Sequence, residues 1–393
     1  MEFNMKKLRF GIIGVGNMGT GHAMSMHNGL TADIELTAVC DIRQDRLDRI
    51  KGLLGDSAAY FTDAQEMFRS GKVDAVLIAV PHYDHPTLAI QAFEAGLHVI
   101  TEKPAGVYTK QVREMNEAAK KSGKVFGIMY NQRTNPVYQK ARELIQNGEL
   151  GEVKRFIWII TNWFRPQAYH DSGEWRSTWK GEGGGVLINQ CPHNLDLWQW
   201  IAGVPKSIHS FCHFGKHYKI DVEDDVTAYF EYENGATGVF VTTTSEVPGT
   251  NRLEISGDRG KLVIEENRKL TFYRTVETIG EFNAKNKMPF DQPEVWKCDV
   301  LSIDKEDNQH VKILNNFADA VLRGTPLLAP GEEGINGLSI SNAIHLSSWL
   351  GEAVELPPNE DLYYEKLQEK IADSKFVKNP VAEVLVNDLS KTH

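Results

Sequence analysis

Cysteine is scarce in this chain of 393 residues, and the four present, Cys40, Cys191, Cys212 and Cys298, lie too far apart for a metal knuckle or a redox pair. Such sparing thiol use suits a reducing compartment and excludes a disulfide framework. Apolar runs are short. None reaches the ~20 residues of a membrane-spanning helix, and Met1 to Arg9 leads straight into a strand rather than a signal-peptide core. A basic excess is missing too, with 43 Lys and Arg against 53 Asp and Glu, a net charge of −10 and no local basic cluster. Nucleic acid and anionic membrane are therefore not expected as partners. Internal repeats and low-complexity stretches are absent. What remains is a globular, cytoplasmic chain long enough for two domains with cores of their own.

The most informative stretch runs from Leu8 to Asp41. An apolar run, Leu8-Arg9-Phe10-Gly11-Ile12-Ile13, turns at Gly14-Val15-Gly16-Asn17-Met18-Gly19 and continues with helical spacing. Gly14 permits the turn, Gly16 leaves the backbone open to a pyrophosphate, and Gly19 lets helix and strand lie close. The helix N-terminus supplies an anion site from its unpaired N–H groups. A second strand, Glu35 to Cys40, ends at Asp41, about 20 residues past the last glycine, where a carboxylate reads the ribose hydroxyls. Asp41 repels a 2′-phosphate, so NAD is expected; Arg43, two residues on, keeps NADP open.

Strand and helix patterns alternate through Val73 to Val80, Pro86 to Ala95, Leu97 to Ile100, Thr109 to Ser122 and Lys124 to Tyr130. That rhythm predicts a doubly wound parallel sheet of the Rossmann kind over residues 1–130. Beyond it the strands lengthen and follow one another, at Val153 to Ile160, Val226 to Tyr232, Ala236 to Thr243, Arg252 to Ser256, Lys261 to Glu265 and Lys269 to Arg274, with turn signals such as Asn234-Gly235 between them. Residues 131–393 are thus expected to form a second domain on an open, mostly antiparallel sheet, closed by helices near Val311 to Arg323 and Glu333 to Leu350, with a polar helix and tail from Asp361. The fold class is α/β plus α+β. Alternation along Val226 to Glu231 leaves one face of that sheet free for substrate or for a second subunit, and a homo-oligomer, dimer or tetramer, is expected.

Two constellations carry chemistry. Thr101-Glu102-Lys103-Pro104 follows a buried parallel strand on the edge where ligands bind in open α/β sheets. A lysine with its pKa lowered by burial can take the hydroxyl proton as hydride leaves an alcohol carbon, so Lys103 is the candidate base. The second is Gly183-Gly184-Gly185 leading into Asn189, His193, Asp196 and Trp200, spaced as one helical stripe. Pro192 is expected to bend that helix. The cofactor wall is expected from Gly14, Gly16, Asn17, Met18 and Gly19, from Asp41, Ile42 and Arg43, from Val80, Pro81, His82 and His85, from Glu102, Lys103 and Pro104, and from Gln132. For His82 and His85 a helix-capping role stands beside the cofactor or substrate role.

The dinucleotide turn, the Glu102-Lys103-Pro104 turn and the triple glycine followed by His193 together resemble the Gfo/Idh/MocA oxidoreductases, over nearly the whole chain. Gly96-Leu97-His98-Val99, Gly148-Glu149-Leu150-Gly151 and the Asn342 to Pro357 region are similar to the same family. The resemblance implies a Rossmann domain followed by an open sheet, NAD(P)-dependent oxidation or reduction of sugars, polyols and their derivatives, and a cis Lys103–Pro104 bond. One residue departs from the pattern, because the family commonly has aspartate four residues before the histidine and this chain has Asn189. In serine proteases, asparagine in place of the aspartate that orients the catalytic histidine costs about 10⁴ in rate. Proton transfer is therefore assigned to Lys103, substrate orientation to His193 and Asn189, and fixation of the histidine to Asp196.

Trp163, Arg165, Trp175, Arg176 and Arg133 are expected to bind substrate, because aromatic faces pack on sugar C–H surfaces while arginine bonds hydroxyls. A small carbohydrate is the expected partner. His209, Cys212, His213 and His217 sit on a strand-like segment that splays alternate residues apart, so no metal is expected. Two alternatives stay open: redox-neutral cleavage or epimerisation of a glycoside through a keto intermediate, and a non-catalytic dinucleotide-binding regulator.

Overall fold

The computed structural model describes residues 7–303, 308–376 and 378. Its first sheet is built from β1 (Leu8–Ile13), β2 (Ile34–Cys40), β3 (Ala59–Phe61), β4 (Ala75–Ile78), β5 (His98–Thr101) and β6 (Phe126–Ile128). Between them run α1 (Asn17–His27), α2 (Gln44–Leu54), α3 (Ala64–Arg69), α4 (Asp84–Glu94) and α5 (Thr109–Ser122). The strand order β3-β2-β1-β4-β5-β6 with parallel pairing throughout is that of a Rossmann sheet. The order reverses between β1 and β4, and the crevice at their carboxyl ends is where ligands bind. The strands are apolar on both faces because helices cover both; β4 is buried at every residue.

The second half starts with α6 (Pro136–Gln146) and β7 (Val153–Ile160), then leaves the sheet for α7 (Gln167–Asp171), α8 (Val186–Asn189) and α9 (Pro192–Ala202). It returns as β8 (Ser207–Phe214), β9 (Glu223–Glu231), β10 (Thr237–Thr243), β11 (Asn251–Gly257), β12 (Gly260–Glu265) and β13 (Lys269–Thr275), and then adds α10 (Ile279–Lys285) and β14 (Val295–Ser302). Then follow α11 (Gln309–Arg323), α12 (Gly334–Leu350), the short β15 (Val354–Glu355) and α13 (Glu360–Asp373). The tail expected beyond this helix lies, apart from residues 374–376 and 378, outside the described residues. In the sheet order β14-β13-β12-β11-β7-β10-β9-β8-β15 every pair is antiparallel except β7 with β10. That one parallel neighbour needs a crossover, and its long connection includes the excursion bearing the glycines.

The sheet's inner face carries Val226, Ala228 and Phe230 against helices, while Thr227, Tyr229 and Glu231 on alternate positions face out. On β8, His209, Phe211 and His213 alternate with the inward Ile208, Ser210 and Cys212. One late helix belongs with the first sheet rather than the second: the Phe317 ring of α11 lies edge-on to Phe10 at 5.9 Å, and Ala32 donates its N–H to Asn315. Among the described residues no helix is long and apolar enough to cross a membrane.

The turn between β1 and α1 is held by close backbone approach. A Cβ on Gly19 would stand 1.8 Å from the Gly14 carbonyl oxygen, so no side chain fits there without moving the helix. Gly19→Ala is expected to cost about 1–3 kcal/mol of stability and at least about tenfold in dinucleotide affinity. Thermal unfolding and calorimetric titration with NAD check both; unchanged values would contradict the packing argument.

Candidate active site

At the crevice the first turn of α1 begins at Gly16, and a Cβ there would meet only Arg46 Nη1, at 3.8 Å. Open space in front of a helix N-terminus suits a pyrophosphate. Asn17 and Met18 line it, partly exposed. Asp41 accepts the Val15 N–H at 2.8 Å through Oδ2 and the Arg43 N–H at 2.9 Å through Oδ1, which orients the carboxylate at the end of β2. Arg43 sends its guanidinium to Asp45, in two bonds of 3.1 and 2.6 Å, and Ile42 is exposed. A second cation, Arg46, stands 3.7 Å from Asp41 Oδ2 and is not among the residues expected from the sequence. Gln132 is buried, and its Oε1 has no partner among the described residues. An acceptor of that kind beside the crevice, together with the open helix terminus and an oriented carboxylate, fits a dinucleotide.

The Lys103–Pro104 bond is cis, as the resemblance implied. Behind it, Glu102 pairs with His22 at 2.6 Å and also accepts the Lys103 N–H at 3.1 Å. Burial pushes the Glu102 carboxyl up, and the hydrogen bond and charge of His22 outweigh this, holding it far below the usual carboxylate range. His85 contacts the Pro104 and Val80 carbonyls at 2.8 Å each, so it ties the lysine turn to the end of β4, beside Pro81. His82 lies 3.2 Å from the Glu182 carbonyl, with its ring edge-on to Trp175 at 5.4 Å. Burial first, and then His85 and Lys103, hold it well below the ordinary histidine value.

One close approach brings the second half of the chain onto the lysine turn, and another fixes α8 within that half. A Cβ on Gly183 would lie 2.3 Å from Val107, just past the lysine turn, and one on Gly185 would lie 2.1 Å from the Glu223 carbonyl. The Glu223 carboxylate accepts the Gly185 and Leu187 N–H groups at 2.9 and 3.0 Å, capping α8, and stands 3.0 Å from His345. Held so, α8 presents the Asn189 carbonyl to Lys103 Nζ at 3.2 Å. Burial lowers the Lys103 pKa, with Glu102 opposing and Arg176 and Arg165 assisting.

The stripe expected from Asn189 to Trp200 is not one helix. The chain breaks at Gln190 and Cys191, and Pro192 occupies the first turn of α9, where its missing N–H costs nothing, instead of bending a continuous helix. His193 is buried near the Tyr130 ring, 6.2 Å between centroids. Asp196, the residue expected to fix it, has its hydrogen bonds elsewhere. Both Asp196 oxygens bond Arg133, at 2.8 and 2.5 Å, and Oδ1 also accepts from Gln199. Arg133 in turn reaches Glu333 at 2.6 Å, and its side chain is 1% exposed. Expected at the substrate, Arg133 is instead a buried tie from the segment after β6 to α9 and to Glu333 at the start of α12, and its fork is committed to carboxylates.

The remaining expected residues gather on one wall. The Arg165 guanidinium lies over Trp163 and Tyr169, at 5.4 and 5.2 Å, and Arg176 lies over Tyr169 and Trp175, at 4.5 and 4.6 Å. The stack alternates ring and cation. Lys378 joins it by donating to the Arg176 carbonyl at 2.7 Å. Tyr169 and Glu182 were missed by the sequence reading. Glu182 accepts from the Asn189 amide and from the Ser177 N–H, the latter at 2.5 Å, and lies 4.0 Å from Arg176. Burial pushes its carboxyl up, against Arg176 and these two donors. A lone acid inside a glycine run was a usable signal for Glu182; nothing local marked Tyr169. Among the described residues no group of three or more His, Cys, Asp or Glu could hold a metal ion.

The fold and the crevice define a dinucleotide-binding oxidoreductase architecture. Residues 8–130 match the model of the oxidoreductase family with an NAD-binding Rossmann fold, and residues 138–263 match that of the GFO/IDH/MocA C-terminal domain. The chain belongs to the Gfo/Idh/MocA oxidoreductase family, and its first domain is an NAD-binding one. It is 26% identical over 344 residues to myo-inositol 2-dehydrogenase of Thermotoga maritima, covering 86% of this chain and 95% of that one. It is 29% identical over 376 residues to D-glucoside 3-dehydrogenase of Escherichia coli, covering 89% and 97%. Its fold superposes on the WlbA dehydrogenase of Bordetella pertussis, a structure with NADH and UDP-GlcNAcA, with a TM-score of 0.75 and 24% identity over 90% of this chain and 100% of that one.

Arg133→Ala leaves Asp196 buried and uncompensated and is expected to cost about 3–5 kcal/mol, with substrate KM unchanged in the folded enzyme. A variant with normal thermal stability and a raised KM would return Arg133 to the substrate site.

Proposed function

We propose that the protein transfers hydride between a secondary hydroxyl of a sugar, polyol or glycoside and NAD, with Lys103 as the acid/base and Asn189 and His193 positioning the substrate. The reading rests on one observation above the rest: a lysine amine, partly buried at the carboxyl edge of the parallel sheet, is held by a carbonyl of the other domain. Myo-inositol 2-dehydrogenase and D-glucoside 3-dehydrogenase, both matched along most of their length, support the substrate class. The wall of Trp163, Arg165, Tyr169, Arg176 and Trp175 supports it too. The indole Nε1 of Trp163 and the imidazole Nε2 of His170 are buried without partners among the described residues, and a ligand rich in hydroxyls would satisfy them.

Bound NAD supplies the hydride acceptor. The Gly14 to Gly19 turn would hold its pyrophosphate, Asp41 its ribose, and Gln132 and the Val80 to His82 strand end its reactive half. Burial and the nearby arginines disfavour the Lys103 ammonium, and in its neutral form the amine takes the hydroxyl proton in oxidation and returns it in reduction. Asn189 and His193 fix the hydroxyl's position. The Rossmann domain spans residues 1–130 and the substrate-binding and oligomerisation domain residues 131–393, whose helix α11 packs back on the first sheet, and the protein works in the cytoplasm.

A screen of NADH formation on myo-inositol, methyl D-glucosides and free sugars tests the reaction, with product analysis detecting cleavage where no absorbance develops. Lys103→Ala is expected to lower kcat by about 10²–10⁴ and to leave NAD affinity unchanged. Comparable losses in Lys103→Ala and Asn189→Ala with a normal His193→Ala would contradict the division of roles. Because a base must be neutral to act, oxidation should rise with pH through a Lys103 pKa below the ordinary lysine value; a rate falling over that range contradicts the assignment.

We also propose that a second copy of this chain covers the outer face of the second sheet, where Phe211 and Tyr229 are exposed. Mass in solution by light scattering should be a multiple of the chain mass, and a concentration-independent monomer would remove the idea.

A further inference from the structure

The side chain of Asn189 has no charge of its own, yet its orientation is dictated by the groups around it. Arg176 Nη1 donates to the Tyr169 hydroxyl at 2.7 Å, and Gln190 Nε2 reaches the same oxygen at 2.9 Å. With its lone pairs engaged, that hydroxyl has only its proton left to give, and the acceptor within reach is Asn189 Oδ1, at 3.3 Å. The amide is thereby oriented, with Oδ1 toward Tyr169 and Nδ2 toward Glu182. Glu182 receives that N–H on one oxygen and the Ser177 backbone N–H on the other. Every hydrogen in the chain of bonds points toward Glu182. A carboxylic acid would need an acceptor for its own proton, and both its oxygens face donors.

We propose that Glu182 is the ionised terminus of this network and the counter-charge of the site: it locks the Asn189 amide and supplies, seven residues upstream, the negative charge that position 189 lacks. It acts as a positioning residue on two groups. Through Asn189 it sets the end of α8, whose last carbonyl receives Lys103 Nζ. Through space its charge stabilises the Lys103 ammonium, against the opposite pull of Arg176 and Arg165. The proton that Lys103 takes from substrate thus arrives at an amine with an anion nearby, although Asn189 is neutral.

The inference rests on the proposed role of Lys103, but its test needs no substrate. Trace acetylation of the full-length protein with acetic anhydride, read by mass spectrometry over a range of pH, reports the neutral fraction of each lysine. Removing an anion near an ammonium favours the neutral amine, so in Glu182→Gln the Lys103 titration should move to lower pH, with labelling near pH 7.5 raised about threefold or more. Surface lysines should not change. In Glu182→Gln/Asn189→Asp the charge is moved rather than lost, and Lys103 should return to the wild-type curve. Glu182→Asp, which keeps the charge on a shorter stem, should stay close to that curve and serves if the Gln variant does not fold. A Lys103 titration unmoved in Glu182→Gln, or moved equally by Asp and Gln, overturns the proposal. Turnover of Lys103→Ala, measured separately, tells whether the acid/base assignment itself has failed.

Discussion

A hydrogen bond of 3.2 Å between the Lys103 amine and the Asn189 carbonyl joins the two domains at the point where chemistry is placed. Most of what surrounds it serves to make that contact. On the lysine side, the Glu102–His22 pair and the His85 clamp fix a turn at the end of β5. On the other, the Gly183 to Gly185 run passes so close to Val107 and to β9 that no side chain would fit, and Glu223 caps α8. Arg133, bonded to Asp196 and Glu333, keeps α9 and α12 in register with the segment after β6. Buried ties of this kind add little net stability over apolar packing, but they are costly to break, which suits a joint that has to keep one geometry.

The electrostatics of the cleft follow from the same arrangement. Lys103, Arg165, Arg176 and Lys378 gather on one side of the dinucleotide crevice; the two guanidinium groups raise the cost of charging Lys103, and Arg176 that of charging Lys378. Stacking on Trp163, Tyr169 and Trp175 holds the two guanidinium groups in place and gives a sugar flat apolar surfaces with donors between them. Glu182 is the buried counterweight.

The sequence made the first domain readable because its signals are local: the glycine spacing, the alternation of strand and helix, and an acid at the end of β2 all lie within short windows. Lys103 was legible for the same reason, standing just after a buried strand. Legibility failed where partners are distant. Arg133 resembled a free cation near the cleft, since the carboxylates that occupy it lie 63 and 200 residues further on. Pro192 was read as a bend within a helix, whereas it starts a new one, a distinction that depends on whether the preceding turn closes. Tyr169 gives no local sign of its place, because only the folding back of α7 brings it to Asn189. Arg46 was passed over for Arg43, which is nearer to Asp41 in sequence but engaged with Asp45.

The account stands on Lys103 being an amine that gives up its proton more readily than an ordinary lysine because of where the two domains hold it. The most direct measurement is an NMR titration of protein labelled with ¹³C at lysine Cε, with the Lys103 resonance assigned from the spectrum of Lys103→Arg. Lys103 should titrate below the surface lysines of the same molecule. If it titrates with them, the amine is an ordinary solvated one, and the proton must be moved by another group.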